Sequence, residues 1–289
     1  MKLAIGSQLF GMDPDTRGDA RISPQEVQAI LAYARRAALD MVDTAPDYGR
    51  SEFVLGAEGG EALPRKIVTK TPVFHSDSIG YEDMLLLTTS FSRSLWRLRT
   101  SRIYGLVVQR GFDLMKPGAE AIYAQLKQWK AEGKVEKIGV FVRDAQELDA
   151  LLSQYAFDIV QLPVNVLDQR MPDSGALRRL KLKGVEIHAR SVFSDGLLLT
   201  KPEELPSRYA SYRDHLEQYH GKLQDRRMQP VEAALLFIRS VPQIDYAIVE
   251  INSLAHLKEV HAAFAVRAGL DFPFRRFALN EELNLMDSM

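Results

Sequence analysis

The 289-residue chain contains no cysteine, which excludes disulfides, cysteine-ligated metals and thiol nucleophiles. No apolar run approaches the length of a membrane-spanning helix. The opening Met1-Lys2-Leu3-Ala4-Ile5-Gly6 is too short in apolar residues for a signal peptide. A soluble cytoplasmic protein is the expectation. Charge of one sign is also missing: 37 Lys and Arg stand against 38 Asp and Glu, for a net charge of −1. Nothing global therefore attracts nucleic acid or anionic membranes. The local cluster Arg178-Arg179 with Lys181 and Lys183 reads as a solvated helix face. No G-x-G-x-x-G follows the first strand and no G-x-x-x-x-G-K-[ST] occurs, so Rossmann and P-loop readings fail. His215/His220 and His256/His261 are spaced so that neither pair shares a helix face. No metal site is expected.

What is present is a regular alternation of short apolar runs and amphipathic segments. Strands are expected at Leu3–Ile5, Asp40–Asp43, Lys66–Lys70, Ile103–Gln109, Lys137–Phe141, Asp158–Leu162, Val185–Arg190 and Tyr246–Val249. Between them lie helical segments, the first opened by Ser23 as N-cap, Pro24 and Glu26. Others cover Tyr81–Leu98, Ala119–Glu132 with Gly133 as C-cap, Ala145–Gln154, Ser174–Lys183 and Leu254–Ala265. A helix-rich stretch from Pro206 to Arg239 breaks near Arg226–Pro230, and Asn280–Met286 reads as a short closing helix. Eight strand–helix units without a linker or a composition break predict one α/β domain over residues 1–289. It would be a single (β/α)8 TIM barrel with a short C-terminal helical tail.

The stretch Met41 to Gly56 reads M-V-D-T-A-P-D-Y-G-R-S-E-F-V-L-G. Asp43 ends a strand, Tyr48 sits in the loop that follows, and Lys70 ends the next strand. An ammonium beside a phenol lowers its pKa, and a carboxylate behind the lysine holds it in place. The phenol could then protonate a developing alkoxide. The same residues also read as a surface tyrosine beside an ordinary Asp–Lys pair. Position favours chemistry: Asp43, Lys70, Gln109 and Gln161 all fall at or just past C-terminal strand ends, where barrel enzymes build their sites.

D-T-A-x-x-Y-G-x-S-E-x-x-L-G followed by a strand ending Thr69-Lys70 resembles the aldo-keto reductase superfamily. Further resemblance lies in Ser90–Leu98, in Glu132–Val135 with Ile138–Val140, and in Gln161–Asn165. The segment His188–Leu199 resembles that of bacterial members of polysaccharide and sugar-nucleotide pathways. The resemblance implies NAD(P)H-dependent reduction of an aldehyde or ketone, with Asp43, Tyr48, Lys70 and Gln109 at the catalytic positions. It implies that NADPH or NADH is held by Ser7, by Gln161, by Arg190, Ser191, Phe193, Gly196 and Leu197, and by Glu250, Asn252, Ser253 and Glu259. The partner implied is a small-molecule carbonyl substrate.

Several positions depart from the family pattern. Gln109 stands where a histidine is usual, and an amide carries no charge. Phe141-Val142 replaces a polar pair after strand five, and Arg190 replaces an aromatic residue under the nicotinamide. His256 stands where an arginine is often found, and Glu250 is expected to face the adenosine ribose, favouring NADH. Two alternatives follow: a barrel that binds or regulates without turnover, and a barrel whose reaction has changed.

Overall fold

The computed structural model describes residues 1–11, 22–266 and 271–279. Eight parallel strands close into a barrel in sequence order: β1 Lys2–Gly6, β2 Met41–Asp43, β3 Lys66–Lys70, β4 Ile103–Val108, β5 Val135–Phe141, β6 Ile159–Pro163, β7 Glu186–Arg190 and β8 Tyr246–Glu250. The closing seam pairs Leu3 with Ala247 and Gly6 with Glu250. Outside it lie helices α1 Pro24–Arg36, α2 Ser51–Glu58, α3 Tyr81–Arg97, α4 Glu120–Ala131, α5 Ala145–Leu152, α6 Arg170–Asp173, α7 Ala176–Leu182, α8 Arg213–Asp225, α9 Pro230–Arg239 and α10 Leu254–Ala265. The arrangement is the (β/α)8 barrel that the sequence predicts. The expected tail helix at Asn280–Met286 lies outside the described residues.

Local chemistry accounts for the elements. Ser23 accepts a hydrogen bond from Glu26 N at 3.1 Å, Pro24 opens α1, and Val27, Ile30, Leu31 and Ala34 are buried against the strands. Gly133 takes φ +72° after α4, as a helix-ending glycine does. The helix expected at Ser174–Lys183 is α7, Ala176–Leu182, and the short α6, Arg170–Asp173, precedes it. Between them Gly175 is left-handed at φ +72° and breaks the hydrogen-bond ladder.

Two apolar clusters form the core. The larger fills the space between strands and helices. The smaller, including Met41, Val68, Val107, Ile159 and Ile248, lies inside the barrel. It packs between polar groups at the two barrel ends, which His188 connects: its Nδ1 lies 3.4 Å from Gln161 Nε2 and its Nε2 2.7 Å from Glu186 Oε1.

Candidate active site

The mouth is built on a buried ion pair. Lys70 Nζ donates to Asp43 Oδ1 at 2.6 Å and to the Thr44 carbonyl at 2.8 Å, with side chains 1% and 0% exposed. Burial alone would raise the Asp43 carboxyl, but Lys70 and Arg190 outweigh it and hold it below its ordinary value. Gln161, in the middle of β6, donates from Nε2 to Asp43 Oδ2 at 2.6 Å. Asp43 and Lys70 are thus held by each other rather than by solvent, as an ion pair inside a barrel must be.

The remaining motif residues lock this pair into the wall. Ser51 Oγ bonds the Ser7 carbonyl at 2.8 Å and lies 3.1 Å from Thr44 Oγ1. Glu52, 1% exposed, accepts from Thr69 Oγ1 at 2.7 Å and from Arg97 at 3.4 Å. At Gly56 a Cβ would lie 2.0 Å from the Arg97 carbonyl, so only glycine lets α2 and α3 approach this closely. Thr44, Ser51 and Glu52 of the D-T-A-P-D-Y-G-R-S-E pattern are therefore scaffold.

Tyr48 is 2% exposed and lies over the pair, with Lys70 Nζ 4.9 Å from its ring centroid. Its hydroxyl oxygen accepts from Arg190 NH2 at 2.8 Å. The sequence reading expected a phenol pKa lowered by Lys70. The structure reverses the sign: burial raises it, and Arg190 and then Lys70 offset only part of the rise. Lys70 sits against the ring face, so Arg190, at the oxygen, is the stronger of the two cations.

Arg190 stands where the family pattern has an aromatic residue. It bridges Tyr48 and the Phe141 ring, whose centroid lies 5.4 Å from the guanidinium carbon. Gln109 lies just past β4 and donates from Nε2 to Asp47 Oδ2. Only the NH2 end of an amide can face a carboxylate, so this contact fixes its orientation. It leaves Gln109 Oε1 buried and without a partner among the described residues. Tyr48, Gln109 and Arg190 line a cavity of about 340 Å³ with Asp47, Arg110, Phe112, Arg143 and Glu147. Sequence reading did not find Arg110 or Arg143. The signal was present, since both stand two residues past strand ends at the mouth.

The expected cofactor residues divide into groups. Ser7 is fully buried, with Oγ 2.8 Å from Ser51 Oγ and donating to the Asp43 carbonyl at 3.0 Å, so its hydroxyl is enclosed in the wall. Glu250 also departs from expectation. Its carboxylate turns inward to accept from Gln8 N at 3.0 Å, and it lies against Gly6, where a Cβ would come within 2.5 Å of Oε1. Burial raises its pKa, and the nearby Arg190 offsets part of that rise. Ser191, Ser194 and Asp195 all have φ near +52 to +53°, and Gly196 has +89°. Non-glycine residues held there are strained by roughly 1–2 kcal/mol each, a concentration typical of ligand loops. Asn165 Nδ2 ties this loop to β6 through the Ser191 carbonyl at 3.0 Å. Phe193 and Leu197 are buried in it. On α10, Ser253 caps the helix by accepting from His256 N at 3.1 Å, while Asn252 and Glu259 are exposed.

The family model for the aldo/keto reductase family matches residues 2–269. The chain belongs to the aldo/keto reductase family. It is similar to the NADH-specific methylglyoxal reductase of Escherichia coli (strain K12), 27% identical over 216 residues. That match covers 68% of this chain and 65% of the relative, just under two thirds of its length. The fold is also that of an aldo-keto reductase from Bacillus halodurans in its holo form, with TM-score 0.76, 16% identity and coverage of 97% and 93% of the two chains. A glycerol dehydrogenase from Gluconobacter oxydans superposes with TM-score 0.70 at 16% identity, covering 95% and 90%. At such identities the structures speak for the fold alone.

An aldo/keto reductase uses a nicotinamide cofactor, and unpartnered buried atoms here fall where the resemblance puts one. Gln161 Oε1 on β6, Ser194 Oγ in the loop after β7 and His256 Nδ1 in the first turn of α10 are all buried without a partner among the described residues. Buried polar atoms are seldom left so; Ser94 Oγ, Tyr219 Oη and His220 Nε2, on α3 and α8, are further cases away from these segments. These segments fit a dinucleotide lying from the mouth to α10.

Proposed function

We propose that the protein reduces an aldehyde or ketone to the alcohol, with Tyr48 as proton donor. The observation that carries this reading is Tyr48 itself: a buried phenol over the Asp43–Lys70 pair, opening on a cavity, with a guanidinium at its oxygen. When bound, a reduced nicotinamide supplies hydride to the carbonyl carbon. Gln161 would hold its amide end, the Ser191–Leu197 loop its phosphates, and Ser253 with the α10 N-terminus its adenosine end.

The chain's own part is the proton. Burial keeps Tyr48 protonated at neutral pH, so the acid form is the resting form. Arg190 donates into the phenol oxygen, and the Tyr48 O–H is therefore left to point at a substrate oxygen. As the proton leaves, the phenolate meets Arg190 at its oxygen and Lys70 beneath its ring, and Asp43 fixes the lysine. This arrangement stabilises charge where it develops. Gln109 orients: one of its two N–H groups is engaged by Asp47, and its free carbonyl reads a hydroxyl or N–H of the substrate.

NADH is the form favoured. The Escherichia coli relative is NADH-specific, and burial lowers the His256 pKa, leaving that residue neutral at pH 7. The test is initial-rate oxidation of NADH and of NADPH with methylglyoxal and a panel of simple aldehydes and ketones. Turnover supports the reading; cofactor binding without turnover of any carbonyl would support a binding barrel instead.

A further inference from the structure

The cavity that reaches Tyr48 carries an excess of positive charge. Arg110, Arg143 and Arg190 line it against Asp47 and Glu147. Both carboxylates are engaged by the wall: Asp47 accepts from Gln109, and Glu147 Oε2 accepts from Arg143 N at 2.8 Å. Arg143 feels the field of Glu147, yet none of these three arginines forms an ion pair among the described residues. Arg190 makes one hydrogen bond there, to Tyr48; Asp43 and Glu250 behind it hold its charge, and its remaining N–H groups have no hydrogen-bond partner among the described residues.

We propose that the substrates of this site are 2-oxo carboxylates, carbonyl compounds with a carboxylate on the adjacent carbon. The inference rests on the reductase reading above. Arg190 NH2 lies 2.8 Å from the Tyr48 oxygen, so the proton donor and a fork of cationic donors stand side by side. A 2-oxo carboxylate presents an acceptor to each from neighbouring carbons. A guanidinium matches a carboxylate's two oxygens as no neutral donor does. Phe141 backs the guanidinium and limits its motion. In the reaction the carbonyl carbon gains hydride, its oxygen gains the Tyr48 proton, and the carboxylate keeps its charge. Arg110 and Arg143, both exposed at the rim, draw the anion in by a field that salt screens.

The test is calorimetric titration with oxamate, an unreactive analogue of a 2-oxo acid, and with neutral pyruvamide, each without cofactor and with NAD⁺. Oxamate is expected to bind at least about tenfold more tightly than pyruvamide, and less tightly as salt rises. Arg190→Gln should remove that preference. Arg143→Gln, at an exposed position, should weaken oxamate binding several-fold and flatten its salt dependence. Equal affinity for the two probes, or no oxamate binding in either state, overturns the proposal. Oxamate binding without turnover of any carbonyl upholds the anion site and sinks the reductase reading. Turnover of methylglyoxal without oxamate binding does the reverse.

Discussion

At the floor of the barrel, Glu186 accepts from Tyr104 and Lys137 at 2.7 Å each and pairs with His188 Nε2 at 2.7 Å. Lys66 completes the layer by donating to Tyr246 at 2.6 Å and pairing with Asp40. At the mouth, Lys70 and Asp43 are more deeply buried than any floor pair, yet Gln109 Oε1 and Gln161 Oε1 have no partner among the described residues. The better-solvated end has its acceptors filled, and the drier end leaves acceptors open. Unfilled hydrogen-bonding capacity in a dry site is costly unless a ligand completes it. The floor is built to hold the barrel together and the mouth to receive something. β7 joins the two, since Glu186, His188 and Arg190 alternate onto its inner face from floor to mouth.

The contrast breaks most sharply at Tyr48. Tyr48→Phe keeps the ring over Lys70 and removes the proton. We expect kcat to fall by about 10²–10⁴-fold while the thermal midpoint stays near that of the wild type. Full turnover on a good substrate would move the proton donor elsewhere.

A mouth variant that leaves a bare charge should cost stability as well as activity. Lys70→Met strands Asp43 in a site with no solvent access. Breaking a buried pair this way costs roughly 3–5 kcal/mol. Denaturant unfolding should show a clear loss of stability, and the carbonyl reduction assay a loss of turnover. Lys70→Met with wild-type stability would mean that the pair does not persist in solution.

At the floor the expectation is stability without chemistry. Burial would raise the Glu186 pKa, but hydrogen bonds from His188, Lys137 and Tyr104 pull it from 4.5 down to about 2. A carboxyl lowered on folding contributes stability above its unfolded value, near 4.5, and loses it as pH falls through about 2. The full contribution is on the order of 3 kcal/mol. Glu186→Gln should therefore unfold more easily than wild type at pH 6, with the gap narrowing between pH 4.5 and pH 2. Its kcat at pH 7 should stay close to wild type. A constant gap across that range would locate the effect in packing instead of charge.

These contrasts also show what the sequence could and could not disclose. Parallel strands buried on both faces leave short apolar runs, and Asp43 and Lys70 stand at their ends, so the barrel and the core of the mouth were legible. The structure brings Asp43, Tyr48, Lys70 and Gln161 together as that pattern implies. Side-chain direction was not legible. Nothing local says that Arg190 reaches across to Tyr48, that Glu250 turns back over Gly6, or that Gln109 gives its donor to Asp47. Each depends on a residue far away in the chain. The alternation Glu186, His188, Arg190 was readable as one inward face, but β7 as a whole looked like an ordinary buried strand.

The smallest effect concerns the outer cofactor segment. The expectation of an NADH preference first rested on Glu250, whose carboxylate is engaged by Gln8 N and partly offset by Arg190. What supports it now is His256, whose pKa burial lowers. A neutral imidazole in the first turn of α10 offers no charge to a ribose 2′-phosphate. Protonation becomes easier as pH falls, so NADPH binding should improve relative to NADH in acid and be weakest, relative to NADH, above neutrality. His256→Arg supplies a permanent cation and should shift the Kd ratio toward NADPH by about tenfold, or ~1.4 kcal/mol, at low salt and less at high salt. Glu250→Lys should not produce that shift, because it places a second cation beside Arg190 and away from α10. Equilibrium titrations of both variants with both dinucleotides separate the two positions. A shift from Glu250→Lys and none from His256→Arg would show that the adenosine end lies over the mouth and not along α10.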